Sequence, residues 1–128
     1  MKYISTQNAP KAVGPYSQAI VSNGFIFCSG QIPLDPQTGH LVGSDISAQT
    51  HQVLENIGGV LKAAGSSFEQ VVKTTCFLVT MEDFAKFNMI YEEYFDKHKP
   101  ARSTIAVAQL PKGALVEVEV IAQLTNNS

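Results

Sequence analysis

The chain has no run of basic residues, no apolar stretch long enough to cross a bilayer and only two cysteines. Each shortage excludes something. The nine Lys and Arg residues are scattered and the net charge is −2. Phosphate binding rests on clustered cations, so nucleic acid is not expected as the main partner. A spanning helix needs about 20 consecutive apolar residues, so no membrane partner is expected. The opening MKYISTQNAP has one lysine and no apolar core, and it is not read as a signal peptide. Cys28 and Cys76 sit inside apolar, strand-like runs. Without a secretion signal they read as reduced, buried thiols, which points to the cytoplasm. His40, His51 and His98 show no ligand spacing, and neither a phosphate loop nor a G-x-S-x-G nucleophile elbow is present. No metal and no cofactor are expected. A length of 128 residues with 45% hydrophobic content fits one soluble domain over residues 1–128.

What is present is strand-rich and alternates with two helical patterns. Lys2 to Thr6 reads as a short edge strand, and Asn8 to Tyr16 as a loop broken by Pro10, Gly14 and Pro15. Tyr16, at the end of that stiff loop, either presents its ring and hydroxyl to a pocket or plugs the core edge. Gln18–Ser22 and Phe25–Ser29 flank Asn23-Gly24, a strong hairpin signal. Gly30 follows; it allows either a close backbone approach to a ligand or a bulge. Asp35–Gly39 is a turn. Asp45–Ala64 carries apolar residues at helical spacing, with Asp45 as N-cap and Gly65 just past the end. Gly58-Gly59 weakens this helix by about 1 kcal/mol per glycine, and close packing on the sheet is the expected reason. Val71–Thr80 is a strand, with Val71, Lys73, Thr75, Phe77 and Val79 expected on one face. Met81–Lys97 is a second helix, with a Thr80/Asp83 capping box and Asn88 beside its apolar stripe as a structural polar contact. Asn126–Ser128 is expected to fray.

The most informative stretch is PARSTIAVAQLPKGALVEVEVIA, Pro100 to Ala122. Period-2 alternation around Leu110-Pro111-Lys112-Gly113 predicts a hairpin closed by a tight turn. In that register Ala106 faces Glu117 and Thr104 faces Glu119. Arg102, Thr104, Ala106, Glu117 and Glu119 then share one face, and Ile105, Val107, Val116, Val118 and Val120 the other. Arg and Glu on a strand read first as a solvated outer face. Yet Phe25–Ser29 and Val71–Thr80 are apolar on both faces, and two helices cover only one face of a sheet. The second face then needs another chain, so a homo-oligomer packing sheet faces together is expected, with Arg102 and Glu117 at or near its interfaces. On the hairpin register those two lie roughly 13 Å apart at about 3.3 Å per residue. Either the strands diverge, or the site joins residues of two neighbouring chains; the second is preferred.

The blocks GPYSQA, SGQIPLDPQTG, VVKTTCFL, DFAKFNMIYEEYF and the Pro100–Ala122 stretch follow one another in the order of the RidA (YjgF) family of reactive intermediate deaminases. The resemblance covers about Thr6 to Ala122. It implies a chorismate-mutase-like α/β fold, a mixed sheet with two helices on one face, and a homotrimer with ligand sites between subunits. The implied activity is that of a 2-iminobutanoate/2-iminopropanoate deaminase. Such an enzyme hydrolyses 2-aminoacrylate and related enamines or imines, released by pyridoxal-phosphate enzymes, to 2-keto acids and ammonia. Carried over by position, Arg102 grips the substrate carboxylate, Glu117 positions and activates water, and Tyr16, Ser29 and Gly30 line the pocket. Thr104 stands where many members have cysteine; its hydroxyl still bonds a ligand, but thiol chemistry there is lost. A trimeric binder of small 2-keto acids, without catalysis, is the alternative. Members have also been described as ribonucleases or translation inhibitors, which the charge disfavours.

Overall fold

A computed structural model of the chain describes residues 1–124. The frayed tail expected at Asn126–Ser128 lies outside the described residues. Six strands form one sheet: β1 Lys2–Ile4, β2 Ala19–Ser22, β3 Phe25–Cys28, β4 Val71–Leu78, β5 Ala101–Ala106 and β6 Val116–Gln123. Their order is β1-β2-β3-β6-β4-β5, antiparallel except for the parallel pair β4–β5. Helices α1 (Ile46–Ala63) and α2 (Phe84–Tyr94) cover the same face. The mixed α/β architecture with two helices on one face is thus as expected.

Local chemistry explains most of these elements. Asn23 and Gly24 both take positive φ (53° and 80°), as a two-residue hairpin turn demands, and β2 pairs with β3 across them. Asp45 caps α1 by accepting from the Ala48 N–H at 2.8 Å, and Gly65 leaves the helix at φ 83°. The first turn before α2 is a tighter 3₁₀ segment, Met81–Asp83, and α2 ends at Tyr94 rather than Lys97. Thr80 caps it from one side only: its hydroxyl accepts from the Glu82 N–H, while Asp83 makes no capping bond. Phe95 leaves helical geometry to pack at 4.7 Å from Tyr91 and 5.4 Å from Phe68, which outweighs one more helical turn.

Gly58 and Gly59 are tight, but not against the sheet. A Cβ on Gly58 would press on the Phe68 ring, and one on Gly59 would overlap the Asn8 backbone carbonyl. Their purpose is to let α1 lie against the N-terminal loop and the segment before β4.

The principal correction concerns Pro100–Ala122. β5 and β6 do not pair with each other; they flank β4, β5 parallel to it and β6 antiparallel. Pro111–Gly113 is a 3₁₀ turn inside a longer connection that steps over the end of β4. The Val107 N–H donates to the Leu78 carbonyl and the Val79 N–H to the Leu115 carbonyl, while buried Gln49 accepts from the Leu115 N–H. A proline-glycine turn between alternating strands fits a hairpin and this arrangement equally well locally. The buried strand β4 decides between them, because both of its edges need a hydrogen-bonding partner.

That pairing re-sorts the side chains. Arg102, Thr74 and Val120 share the helix-covered face, as do Thr104, Cys76 and Val118. Glu117, Phe77 and Ile105 share the open face, with Glu119 and Ser103 beside Thr75. So Arg102 and Thr104 do not lie with Glu117 and Glu119, and Ile105 does not lie with Val116, Val118 and Val120. A bulge between Val71 and Lys73 also turns Val71 into the core, away from the Lys73–Thr75–Phe77 face on which alternation put it. The core holds Ile26, Leu54, Ile57, Leu61, Leu78, Phe87, Val116 and Val118, all sealed from solvent. The open face, by contrast, leaves Phe25, Phe27, Val72 and Ile105 exposed by 38–48%.

Candidate functional site

The residues singled out from sequence fall into two groups on opposite faces of the sheet. The first is built around Arg102 on the edge strand β5. Its side chain turns toward α2, where one guanidinium N–H donates to Asn88 Oδ1 at 2.6 Å. The guanidinium carbon stands 4.7 Å from the centroid of the Tyr91 ring and 5.5 Å from that of Phe84. Phe84, Asn88 and Tyr91 are spaced i, i+4, i+7 along one side of the helix, which is why a single helix can cradle one cation. The Tyr91 hydroxyl is itself held, 2.9 Å from Thr74 Oγ1 in the buried layer. A cleft of about 410 Å³ opens beside Arg102, lined also by Asn88, Tyr91, Glu92, Phe95 and Lys99.

Thr104 and Cys76 are paired in register, one pair along the helix-covered face from Arg102 and Thr74. Thr104 Oγ1 is buried and has no partner among the described residues. Burial pushes the Cys76 thiol up to about 11 against the opposing pull of Thr74, Arg102 and Thr104, so it is neutral near pH 7. Cys28 is pushed up to about 12 by burial alone. Neither is a poised nucleophile.

The second group surrounds Glu117 on β6, facing the open side. Its carboxylate lies against the backbone of Gly30, close enough that a Cβ there would overlap it. What Gly30 lets approach its backbone is the side chain of Glu117. Glu117 is half-buried, and its carboxyl is raised above the ordinary value, first by burial and then by the like charge of Glu119. Ser29 is not a free pocket hydroxyl: its Oγ donates to the Ser17 carbonyl at 2.6 Å. That bond ties the β3 end to the loop carrying Tyr16. Tyr16 is 54% exposed and its ring lies over Gly14.

The loop ahead of Tyr16 is shaped by buried Gln18, which alternation alone did not flag. Gln18 Oε1 accepts from the Thr6 N–H at 2.7 Å, and its Nε2 donates to the Thr6 and Pro10 carbonyls at 3.1 and 2.8 Å. Asn88 is the structural contact expected of it, but the group it holds is Arg102. Phe84 and Tyr91 belong to the apolar stripe of α2, and the spacing Phe84, Asn88, Tyr91 at i, i+4, i+7 is the sequence signal for this cradle. Arg102 and Thr104 thus come together, as do Glu117, Gly30 and Ser29, but the two groups are not brought together within one chain. The separation is through the sheet, not along a hairpin.

No cluster of three or more His, Cys, Asp and Glu suited to a metal occurs among the described residues. Among the described residues no helix is long and apolar enough to cross a membrane.

Comparisons with known proteins agree with the motifs. The family model described as Endoribonuclease L-PSP matches residues 6–124. The chain is 56% identical over 119 residues to RutC family protein PH0854 of Pyrococcus horikoshii, covering 93% of this chain and 94% of that one. It is 47% identical over 121 residues to the human protein named 2-iminobutanoate/2-iminopropanoate deaminase, covering 94% and 88%. The crystal structure of Escherichia coli TdcF with bound serine superposes with a TM-score of 0.93 at 41% identity, covering 98% and 100%. With its motifs, fold and matched length all in accord, this chain belongs to the Endoribonuclease L-PSP family, also called YjgF/RidA.

Proposed function

We propose that this protein is a 2-iminobutanoate/2-iminopropanoate deaminase. It hydrolyses the reactive enamine and imine products of pyridoxal-phosphate enzymes, of the 2-aminoacrylate type, without a cofactor. The observation that carries the reading is Glu117: a half-buried carboxylate with raised proton affinity, laid against a bare glycine backbone. A carboxyl of that kind is suited to take a proton from water and return it within one turnover. Arg102 supplies the other need. Held by Asn88 and two rings, it keeps further N–H donors for a planar, bidentate grip on a carboxylate.

The chemistry then balances simply. The enamine gains a proton at carbon and becomes the iminium, the protonated imine. Water, losing its proton to Glu117, adds to the imine carbon. In the resulting carbinolamine Glu117 returns the proton to nitrogen and takes up the hydroxyl proton, so the C–N bond breaks and ammonia leaves a 2-keto acid. Holding imine and water together makes the attack effectively unimolecular.

Because Arg102 and Glu117 face opposite sides of one sheet, the proposed site takes Arg102 from one subunit and Glu117, Gly30, Ser29 and Tyr16 from a neighbour. The apolar open face around Phe25, Phe27 and Ile105 fits the burial of this face in a homotrimer. Two reduced, buried thiols fit a cytoplasmic setting. The alternative is a trimeric binder of small carboxylates that uses Arg102 alone; the serine bound to the TdcF relative gives that reading its support. An RNA-cleaving role has no basic patch behind it, with nine scattered cations and a net charge of −2.

The test is to generate 2-aminoacrylate with a serine or threonine dehydratase and follow its decay as pyruvate forms. Native protein should accelerate decay, and Arg102→Ala should abolish the acceleration while keeping the fold. A folded native oligomer that leaves the decay unchanged refutes the deaminase reading.

A further inference from the structure

The guanidinium fork is rigid and matches a carboxylate, but the stem that carries it has about 2 kcal/mol of rotamer entropy, and an arginine already held in place loses less of it on gripping an anion. Here the hold has two parts. Asn88 takes one N–H and fixes a point. A single hydrogen bond still lets the fork rotate about it. The nearer of the two rings, Tyr91 at 4.7 Å, supplies a surface against which the guanidinium settles. Tyr91 is unusually constrained for an aromatic on a helix. Its ring packs on Phe87 and Phe95, at 5.6 and 4.7 Å between centroids. Its hydroxyl meets Thr74 Oγ1, and Thr74 is the residue of β4 paired with Arg102 itself. Helix α2, strand β4 and edge strand β5 are therefore tied together at the level of the guanidinium.

We propose that Tyr91, locked by Thr74, is the positioning residue for Arg102. It sets the plane in which the guanidinium meets the substrate carboxylate. A phenylalanine would fill the same volume. The hydroxyl adds a buried bond that stops the ring from tilting, and so keeps the fork in register with the strand. The role rests on the reading of Arg102 as the carboxylate anchor, and acts only through it.

The test compares native protein, Tyr91→Leu and Tyr91→Phe, each alone and combined with Arg102→Ala. Titration with 2-oxobutanoate, followed by NMR so that millimolar binding is seen, accompanies steady-state kinetics on dehydratase-generated imine. Tyr91→Leu should weaken 2-oxobutanoate binding about tenfold and raise KM about as much, with kcat changed less than about threefold. Tyr91→Phe keeps the ring and should cost two- to threefold in binding. If the leucine variant does not fold, the phenylalanine variant carries the test. In the Arg102→Ala background neither change should weaken binding further by as much as twofold, because the group they act through is gone. Equal losses with and without Arg102, a loss confined to kcat, or no loss in either variant overturns the proposal. A native protein that neither binds 2-oxobutanoate nor destroys 2-aminoacrylate overturns the deaminase reading as well. A native protein that does both, with unaltered Tyr91 variants, overturns this role alone.

Discussion

Gly30→Ala separates chemistry from stability in this fold. A Cβ at Gly30 would overlap the end of the Glu117 side chain, its carboxylate oxygen and carbon, and no backbone atom. The obstacle is the far end of a flexible side chain, and Gly30 is not among the glycines with positive φ. Alanine is therefore accommodated by swinging the carboxylate away, at a cost of less than about 1 kcal/mol, within the range of ordinary surface changes. The displacement needed is more than an ångström. A misplacement of about 1 Å in a positioned group costs on the order of 100-fold in rate. So Gly30→Ala should keep the native melting temperature to within a few degrees while its deaminase turnover falls about 100-fold toward that of Glu117→Gln. Gly59→Ala is the contrasting case. There the overlap is with the Asn8 backbone carbonyl, which cannot swing aside. It should lose about 1–3 kcal/mol of stability, as overpacked sites do, and keep its kcat. Differential scanning calorimetry and the dehydratase-coupled assay read both quantities. A Gly30→Ala protein with native turnover at native stability would refute the assignment of Glu117 as the base.

The raised carboxyl of Glu117 has a sign that can be checked. Its folded pKa lies above its unfolded value, so the folded state binds more protons between the two, and this group's contribution to stability falls as pH rises through that window. Glu117→Gln should therefore melt slightly higher than native at pH 7, with the difference vanishing below the ordinary carboxylate range, while native activity drops as pH falls through the raised pKa. On the open face, Phe27→Glu and Ile105→Glu place charges where apolar side chains are now 46% and 48% exposed. For the proposed trimer, both should shift sedimentation toward monomer, with activity lost in step. Cys28 and Cys76, pushed up to about 12 and about 11, should resist iodoacetamide at pH 8 in the native protein and react within minutes in denaturant.

Much of this protein follows from the sequence alone. The Asn-Gly hairpin, the Asp45 cap, the Gly65 exit and both helical stripes are local signals, and each is decided by the residues within one turn of it. The surplus of apolar side chains on β3 and β4 already indicated a second face in need of cover, and Phe25 and Phe27 lie bare there. The blocks around Tyr16, Ser29, Arg102 and Glu117 marked the family. Only the tertiary structure decided which of these residues meet. Two alternating strands around a proline-glycine turn satisfy a hairpin and a split pair equally well, since both obey the same period and the same turn chemistry. The choice belongs to β4, buried along the helix-covered face and needing hydrogen-bond partners on both edges, and no residue within the Pro100–Ala122 stretch carries that information. Once β4 is inserted, Arg102 turns to α2 and Glu117 to the open face. Arg102 and Glu117, which the hairpin register put on one face, end on opposite faces, because alternation fixes which residues share a face and only long-range pairing fixes which face that is.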